Sequence, residues 1–233
     1  MRVAVCYWGM TRSTRHVYKT HEKYLFEVLR LNNIHYTTYI HTWRTDFNIV
    51  WNEASQIPID YDEWRLLNPN EYCLDHQDTF LQTLDFTKYF HANSHDEWHP
   101  CLIKNHLCSL ESMRRVFEMT QKHWADFVMF IRPDVQLQSY FNVAIFDTLK
   151  EGHIAIPNDN HGEGLNDRFA VANYQTASHY ANRITELAEF RRTQGRIVSE
   201  KYVKFILNKY YIVHFLNFTF TIIRPNTTPA HYT

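Results

Sequence analysis

Residues 124–137 read WADFVMFIRPDVQL, an apolar run that ends abruptly in charged residues. Phe127 to Ile131 is unbroken and short, which predicts a β-strand buried on both faces. Ligands of open α/β sheets bind at the carboxyl ends of the strands, so the residues that follow are candidates for a site. Asp134 suits a divalent metal with oxygen ligands, and Arg132 suits a phosphate. The alternative is a surface loop in which Asp134 caps the next helix.

The composition indicates a globular chain. At 233 residues it can form one domain with a sizeable core. With 24 basic and 25 acidic residues, it lacks the basic excess of a general nucleic-acid binder. No apolar run approaches the roughly 18 residues needed to span a bilayer, and the N-terminal apolar stretch is too short for a secretory signal. We therefore expect a cytoplasmic protein with no membrane span.

The four cysteines, Cys6, Cys73, Cys101 and Cys108, include no CxxC pair. Cys6 and Cys73 lie in predicted strands, and the set is typical of reduced core residues in a cytosolic protein. A zinc site of Cys101, His106 and Cys108 is conceivable, but its spacing is poor.

The N-terminus predicts a parallel crossover. Arg2 to Tyr7 is β-branched and apolar, a glycine turn follows, and residues 14–31 carry apolar side chains at helical spacing. Ile34 to Ile40 predicts the second strand. Strand, helix and strand at this spacing form a right-handed parallel unit.

This crossover brings four candidate residues to one sheet edge. Gly9 and Arg12 follow the first strand, and His41 and Thr42 follow the second. Exposed N–H groups at the helix start, together with Arg12, would make an anion site. The signal is weak, because one glycine is far from a dinucleotide or P-loop fingerprint.

The remaining elements follow from the same patterns. We predict strands at 57–60, 72–75, 153–156, 168–172, 210–214 and 218–223, helices at 78–84, 104–122, 175–192 and 199–207, and a helix-like piece up to about residue 150. Residues 89–100 predict a long loop, which favours a lid or an acceptor wall. Asn105 and Ser109 lie one turn apart on a common helix face.

Seven blocks of the sequence together resemble a known family. They are WGMTRS (8–13), YIHTW (39–43), LNPNEYCLDHQDTF (67–80), KNHLCSLESMRRVF (104–117), FVMFIRPDVQL (127–137), GLNDRFAVANYQTASHY (164–180) and SEKYVKFIL (199–207). Their order and spacing resemble a group of GT-A-type glycosyltransferases found in large DNA viruses, algae and bacteria. The group includes the amino-terminal domain of a multidomain chlorovirus glycosyltransferase. Each block alone is degenerate, and it is their order across nearly the whole chain that carries the resemblance.

The resemblance implies a GT-A-like α/β fold, with a mixed, mostly parallel central sheet flanked by helices and a small acceptor-side subdomain. Residues 1–233 would form a single domain, with a nucleotide-sugar-binding half over about 1–135 and an acceptor and catalytic half over about 136–233. The implied reaction moves a sugar from a nucleoside diphosphate sugar, UDP sugars favoured, to a glycan or glycoprotein acceptor, assisted by Mn²⁺ or Mg²⁺. The end at Thr233 suggests further domains of a longer polypeptide, in the host cytoplasm if the protein is viral.

The resemblance also implies roles for residues. Asp134 matches the last Asp of a metal-binding DxD-like signature, but Arg132 stands where the first Asp would be, which weakens the expectation of metal dependence. The other matches are Gly9 and Arg12 in the nucleotide-binding turn, His41 and Thr42 at the edge below base and ribose, and Asp167 and Arg168 in a block near the donor sugar or acceptor.

Glycosyl transfer needs a cation at the leaving diphosphate and, for inversion, a carboxylate that deprotonates the acceptor hydroxyl. We assign Arg12 to the diphosphate, with Arg132 as electrostatic support. For the base, Asp167 comes first, because Gly162 and Gly164 let its loop bend near a ligand, and Glu163 and Glu200 follow. The alternatives are an ion pair or cap for Asp167 and an ordinary first-turn helix carboxylate for Glu200. Asn105 and Ser109 could contact nucleotide or sugar, or make buried polar contacts within the fold.

Two other functions remain open from the sequence. A nucleotide-sugar or carbohydrate-binding module without turnover would fit Arg132 and the single metal carboxylate. A nucleotidyltransferase shares the α/β layout and the metal demand. That class would be expected to open with a glycine-rich, basic loop, whereas WGMTRS supplies one Gly and one Arg.

Overall fold

The computed structural model describes residues 1–45, 59–91 and 97–224, which form a seven-stranded sheet, a two-stranded sheet and flanking helices. The strands are β1 (Arg2–Trp8), β2 (His35–Arg44), β3 (Glu71–His76), β4 (Phe127–Ile131), β5 (Val135–Leu137), β6 (His153–Pro157), β7 (Phe169–Asn173), β8 (Ile212–Leu216) and β9 (Phe220–Ile222). The helices are α1 (Thr14–His21), α2 (Glu27–Leu31), α3 (Gln77–Gln82), α4 (Pro100–Met119), α5 (Tyr174–Ala181), α6 (Leu187–Gln194) and α7 (Ser199–Tyr210). A π-helical turn, Glu22–Phe26, joins α1 to α2.

The central sheet has the order β3-β2-β1-β4-β7-β6-β8. Strands β1 to β4 are parallel, β7 is antiparallel to both β4 and β6, and β8 is parallel to β6. Within this seven-stranded sheet, all strands except β7 therefore run in one direction. The predicted fold class, an α/β fold with a mixed, mostly parallel central sheet flanked by helices, is confirmed.

The order of the strands reverses between β1 and β4. The chain builds outward from β1 through β2 to β3 and then returns, so that β4 pairs with the other side of β1. In open α/β sheets, such a reversal leaves a crevice at the carboxyl ends of the two strands, and ligands bind there. This crevice is the site that the topology alone selects.

Apolar side chains cover both faces of the sheet. On one face, α4, α5 and α7 pack through residues such as Leu107, Ala177 and Ile206. On the other face, α1, α2 and the β5–β9 pair pack through residues such as Tyr18, Leu29 and Val135. Because its central strands are buried on both faces, the sheet holds the loops at its carboxyl edge on a rigid base.

Several predicted elements have different boundaries in the structure. Helix α4 begins at Pro100 rather than residue 104, and α7 continues through Tyr210, where a strand was predicted to start. Predicted helix 175–192 is interrupted by a 3-10 turn at Asn182–Glu186, and the helix-like piece before residue 150 is a 3-10 turn at Val143–Thr148. Strand β5 was not predicted.

Two predicted segments fall partly on residues outside those described. Of the strand predicted at 57–60, only 59–60 are described, and they are not in a strand. Of the loop predicted at 89–100, residues 92–96 lie outside the described ranges. In the described part of the chain, no helix is long and apolar enough to cross a bilayer. All four cysteines are free.

Candidate functional site

Asp134 follows β4 at the crevice and is only 2% exposed. Arg132 contacts both of its oxygens: Nε donates to Oδ1 at 3.0 Å, and Nη2 donates to Oδ2 at 2.5 Å. Arg224 donates from Nη1 to Oδ2 at 3.1 Å. Burial alone would raise the pKa of Asp134, but the charges of Arg132, Arg224 and Arg12 hold that pKa below its usual value. The carboxylate is therefore ionised and surrounded by guanidinium groups.

Arg224 reaches this position through backbone contacts at the end of β9. Strand β9 pairs antiparallel with β5, which follows Asp134 directly. The N–H of Ile223 donates to the carbonyl of Asp134 at 2.9 Å, and the Ser13 hydroxyl donates to the carbonyl of Ile223 at 2.7 Å. The end of β4, the start of α1 and the segment after β9 are thus held together at one point.

A divalent cation on Asp134 fits this donor set poorly. Both carboxylate oxygens already accept hydrogen bonds from guanidinium groups, and a cation, Arg132, stands where the metal-binding pattern has its first carboxylate. A metal would have to displace those groups and sit beside their charges. The metal role of Asp134 stays a prediction, and these contacts do not favour it.

Ser112, on α4, connects the ends of the first two strands. The N–H of Gly9 donates to Ser112 Oγ at 2.8 Å, and Ser112 Oγ lies 2.7 Å from His41 Nδ1. His41 Nε2 lies 3.1 Å from Asp75 Oδ2. Burial lowers the pKa of His41 to about 4 despite the hydrogen bond to Asp75, so the ring is neutral near pH 7. Because the Gly9 N–H is already bonded, it is not free for a phosphate.

The order Ser112–His41–Asp75 is that of a hydrolytic triad, but Ser112 and His41 are both 0% exposed. No substrate carbonyl can reach a hydroxyl buried in this way, so the three residues position the Gly9 turn instead. Gly9 itself has φ of 95°, a left-handed conformation that favours glycine. No local pattern in the sequence indicated Ser112, because its partners are distant in the chain.

We expect Ser112→Ala to lower the free energy of unfolding by about 1–3 kcal/mol, because the buried Gly9 N–H and one His41 ring nitrogen would lose their partner. Urea denaturation measures the change. Ser109→Ala, one turn away at a partly exposed position, is the matched control and should change stability by less than about 0.5 kcal/mol. Equal effects of the two substitutions would contradict the assigned role of Ser112.

The ligand atoms of His41, Cys73 and Asp75 lie within 4.8 Å of one another. Arg115 already donates to Asp75 Oδ2, and its guanidinium lies 5.1 Å from the Trp43 ring centroid. This cluster is therefore stabilised by a cation of the chain itself. Among the described residues, the ligand atoms of Cys101, His106 and Cys108 do not form such a group.

The start of α1, predicted to bind an anion, is partly filled by a carboxylate of the protein. Glu63, which is 3% exposed, accepts from the backbone N–H of Arg15 at 3.1 Å and from its side-chain Nε at 2.5 Å. A negative charge at a helix N-terminus satisfies its N–H groups and its dipole. The Arg15 N–H is thus not available to an external phosphate, while Arg12 acts on the charge of Asp134.

Asn105 and Ser109 lie beyond the sheet edge on α4. This helix joins the parallel strands β3 and β4, so it runs against them and begins at their carboxyl edge. Ser112 contacts that edge, and with a rise of 1.5 Å per residue Ser109 and Asn105 lie about 5 and 10 Å further along the axis. Both are partly exposed, whereas Thr42 is buried with an unpaired Oγ1. Their roles toward a nucleotide stay predictions.

The three predicted catalytic carboxylates differ in their partners. Glu163 is about half exposed and pairs with Arg196 and Lys201 on the surface. Both oxygens of Glu200 are bonded, one by Arg168 Nη2 at 3.1 Å and the other by the hydroxyl of Ser199 at 2.8 Å.

Asp167 differs from both. It is 8% exposed, and its Oδ1 forms an ion pair with Arg168 Nη1 at 3.2 Å, which is the alternative that the sequence left open. This buried oxygen nevertheless accepts no hydrogen bond. Buried polar atoms without hydrogen bonds are rare and costly, and among the three predicted catalytic carboxylates only Asp167 has such an oxygen.

Asp167 joins the same edge as Asp134 because β7 is antiparallel. The start of β7 lies beside the end of β4, where the N–H of Arg132 donates to the carbonyl of Arg168 at 3.1 Å. Asn166, 0% exposed, fixes the turn by accepting from the Arg168 N–H at 2.9 Å and donating to the carbonyl of Asp159 at 2.7 Å. The sequence-predicted groups on β1, β4 and β7 therefore meet at one crevice.

His106 lies near Asp167 in the buried part of this region. Burial lowers the pKa of His106 to about 4. The charge of Arg183 lowers this pKa further, whereas the charge of Asp167 raises it. His106 Nε2, Asp167 Oδ1 and Arg168 Nε are all buried without hydrogen-bond partners. These atoms are ones whose hydrogen bonds a bound ligand or an ordered water would supply.

We expect stability to fall as the pH is lowered from about 6.5 to 4. Burial holds the pKa of His21, His41 and His106 at about 4, whereas the unfolded histidines have pKa 6.5. Between these values the unfolded chain binds more protons, so the free energy of unfolding decreases with decreasing pH. Urea midpoints measured between pH 4 and 7 test this. His106→Gln should flatten the curve, because it removes one of the three buried histidines.

No protein-family profile matches this sequence, and no curated protein matches it. Among solved structures, the chain is similar to the apo form of mouse xyloside xylosyltransferase 1, with 12% identity and a TM-score of 0.42, over 93% of this chain and 85% of that one. It is similar to the apo form of the glycosyltransferase GlyE from Streptococcus pneumoniae at 12% identity and a TM-score of 0.42, over 91% of this chain and 44% of that one. Similarity this low does not establish a shared activity, and the relationship to the chlorovirus enzyme stays a prediction.

Proposed function

We propose that this chain is a glycosyltransferase that moves a sugar from a nucleoside diphosphate sugar to a hydroxyl of a glycan or glycoprotein. UDP sugars are the favoured donors. The observation that carries the proposal is that the arginines around Asp134 and a second carboxylate, Asp167, whose buried Oδ1 accepts no hydrogen bond, meet at the crevice where the strand order reverses. The sequence blocks that resemble GT-A-type glycosyltransferases support the same reaction.

The charges suit the two ends of the reaction. Arg12 and Arg132 would bind the diphosphate and stabilise the negative charge that builds on it as it leaves. Asp167, whose Oδ1 accepts no hydrogen bond, would accept the proton of the acceptor hydroxyl. The acceptor oxygen then bonds to the anomeric carbon, the bond from that carbon to the diphosphate breaks, and the configuration inverts. A divalent metal, Mn²⁺ or Mg²⁺, remains the sequence-based expectation for the diphosphate.

Release of nucleoside diphosphate from a panel of UDP and GDP sugars tests this function. We expect release from at least one donor, and faster release when a mixture of glycan acceptors is added. Lack of both binding and release for every donor would overturn the proposal. Release of pyrophosphate would indicate a nucleotidyltransferase instead.

A binding module without turnover is the second candidate. The contacts around Asp134 favour it, because both carboxylate oxygens are bonded to arginines rather than free for a metal. In that case calorimetry would detect nucleotide-sugar binding, while no acceptor would cause release of nucleoside diphosphate. The two measurements together separate the module from the enzyme.

A further inference from the structure

The charge balance at the end of β4 differs from that of a metal site with two carboxylates. Two carboxylates and a divalent cation together are neutral, and Arg132 with Asp134 is neutral without any metal. The pair is bidentate and largely buried, with 20% and 3% of the two side chains exposed. The guanidinium of Arg132 therefore provides the positive charge that a bound metal cation would provide in a site with two carboxylates.

Two further arginines make this region cationic. Arg224 bonds to Asp134 Oδ2, and the charge of Arg12 acts on the same carboxylate. The charges of Asp167 and Glu200 also act on Arg132, and Arg168 pairs with both of these carboxylates. Among the described residues, four guanidinium groups therefore face three carboxylates, which leaves an excess of one positive charge beside the crevice between β1 and β4. An ionised diphosphate would neutralise that excess.

The cluster also has donors left to bind an anion. Arg132 uses Nε and Nη2 on Asp134, and among the described residues its Nη1 makes no hydrogen bond. Its guanidinium lies 5.9 Å from the ring centroid of Trp8, at the end of β1. Asp134 thus holds the edge of the planar guanidinium that carries Nε and Nη2, which leaves Nη1 for a phosphate oxygen.

We propose that this site binds the diphosphate of its donor without a divalent metal, through Arg12, Arg132 and Arg224. Asp134 acts as a positioning residue that holds Arg132 and Arg224, and the bonds of Ile223 to Asp134 and Ser13 place Arg224 at the crevice. This inference rests on the proposed function, because it concerns how the same donor is bound.

Calorimetric titration with UDP, GDP and inorganic pyrophosphate, each in EDTA and again in Mn²⁺, tests the proposal. We expect the Kd of the nucleotide that binds to differ by less than about threefold between the two buffers, since the guanidinium groups supply the charge. A gain in affinity of tenfold or more with Mn²⁺ would overturn the proposal while leaving the proposed function intact. Absence of nucleotide binding in both buffers would overturn the proposed function as well.

Substitutions of single arginines identify the side chains that bind the diphosphate of the nucleotide. Arg224→Ala should weaken nucleotide binding in EDTA by about 10- to 100-fold, as expected for the loss of a charge-assisted contact. Arg224→Lys, which keeps the charge, should recover part of that loss. Arg192→Ala on the exposed surface of α6 removes the same charge elsewhere and should have no effect.

Asp134→Asn separates a positioning residue from a metal ligand, since it keeps the shape of the side chain. With the arginines less firmly held, binding should weaken in EDTA and in Mn²⁺ by the same factor. A loss seen only in Mn²⁺ would make Asp134 a metal ligand and overturn the proposal. Thermal unfolding of each variant shows whether the fold is kept, and Arg224→Ala, at the partly exposed end of the described chain, provides the test if Asp134→Asn does not fold.

Discussion

Replacing Asp167 with Asn is expected to slow sugar transfer by about 10²- to 10⁴-fold while leaving nucleotide affinity nearly unchanged. The amide keeps the size of the carboxylate but cannot accept the proton of an acceptor hydroxyl, and general-base catalysis contributes a factor of this size. Asp167 is the base that the structure favours, because its buried Oδ1 has no hydrogen-bond partner. Donor affinity should survive, since the proposed diphosphate-binding arginines lie on other segments of the crevice.

Rates of nucleoside diphosphate release with and without acceptor, alongside calorimetric affinities, measure both effects. Glu163→Gln tests the rival assignment by the same chemical change. Glu163 is about half exposed and pairs with surface cations, so we expect a rate within about twofold of wild type. If Asp167→Asn retains sugar transfer and Glu163→Gln loses it, the general base is Glu163 and not Asp167.

Gly164→Ala is expected to destabilise the protein by about 3 kcal/mol or more, or to prevent folding. A methyl group at this position would lie 2.0 Å from the carbonyl oxygen and 2.3 Å from the carbonyl carbon of Glu200, both backbone atoms that cannot rotate away. The helix α7 would have to move, and overpacking of this kind costs at least 1–3 kcal/mol. The same displacement would disturb the Arg168–Glu200 pair and the Leu165 N–H bond to the Glu200 carbonyl.

Urea or thermal unfolding gives the change in stability, and Gly152→Ala is the control. Gly152 has φ of 76° with no atom within 4 Å of an added methyl group, so its substitution costs only left-handed backbone strain, about 1–2 kcal/mol. A smaller loss of stability in Gly164→Ala than in Gly152→Ala would show that the loop relaxes without moving α7.

The sequence predicted the central sheet well where the pattern is local. The apolar run of β4, and the strand–turn–helix–strand order of β1, α1 and β2, follow from side-chain periodicity over a few residues. The predicted boundaries of helices and strands were wrong where tertiary contacts override the local conformational preference of a residue. Strand propensity at Tyr210 is a case, because α7 continues through it and Tyr210 donates to Glu186.

The residues of the candidate site likewise fall into those indicated by the sequence and those found only in the structure. The sequence brought Arg132 and Asp134 into consideration because charged residues next to an apolar strand mark a sheet edge, and the resemblance to GT-A-type glycosyltransferases added Asp167 and Arg168. It did not find Ser112 or Arg224, whose partners lie 71 and 90 residues away in the chain, nor Glu63, which is 48 residues from the helix start it fills.

By itself, the sequence determined the type of fold and the edge of the sheet at which charged groups collect, because hydrophobic periodicity and chain order are local properties. Only the tertiary structure decided the state of each charged group: which carboxylate keeps an oxygen without a hydrogen bond, which is surrounded by arginines, and which lies in solvent. The reason is physical. Burial and hydrogen-bond partners set the charge state and availability of a group, and those partners come from segments that folding alone brings together.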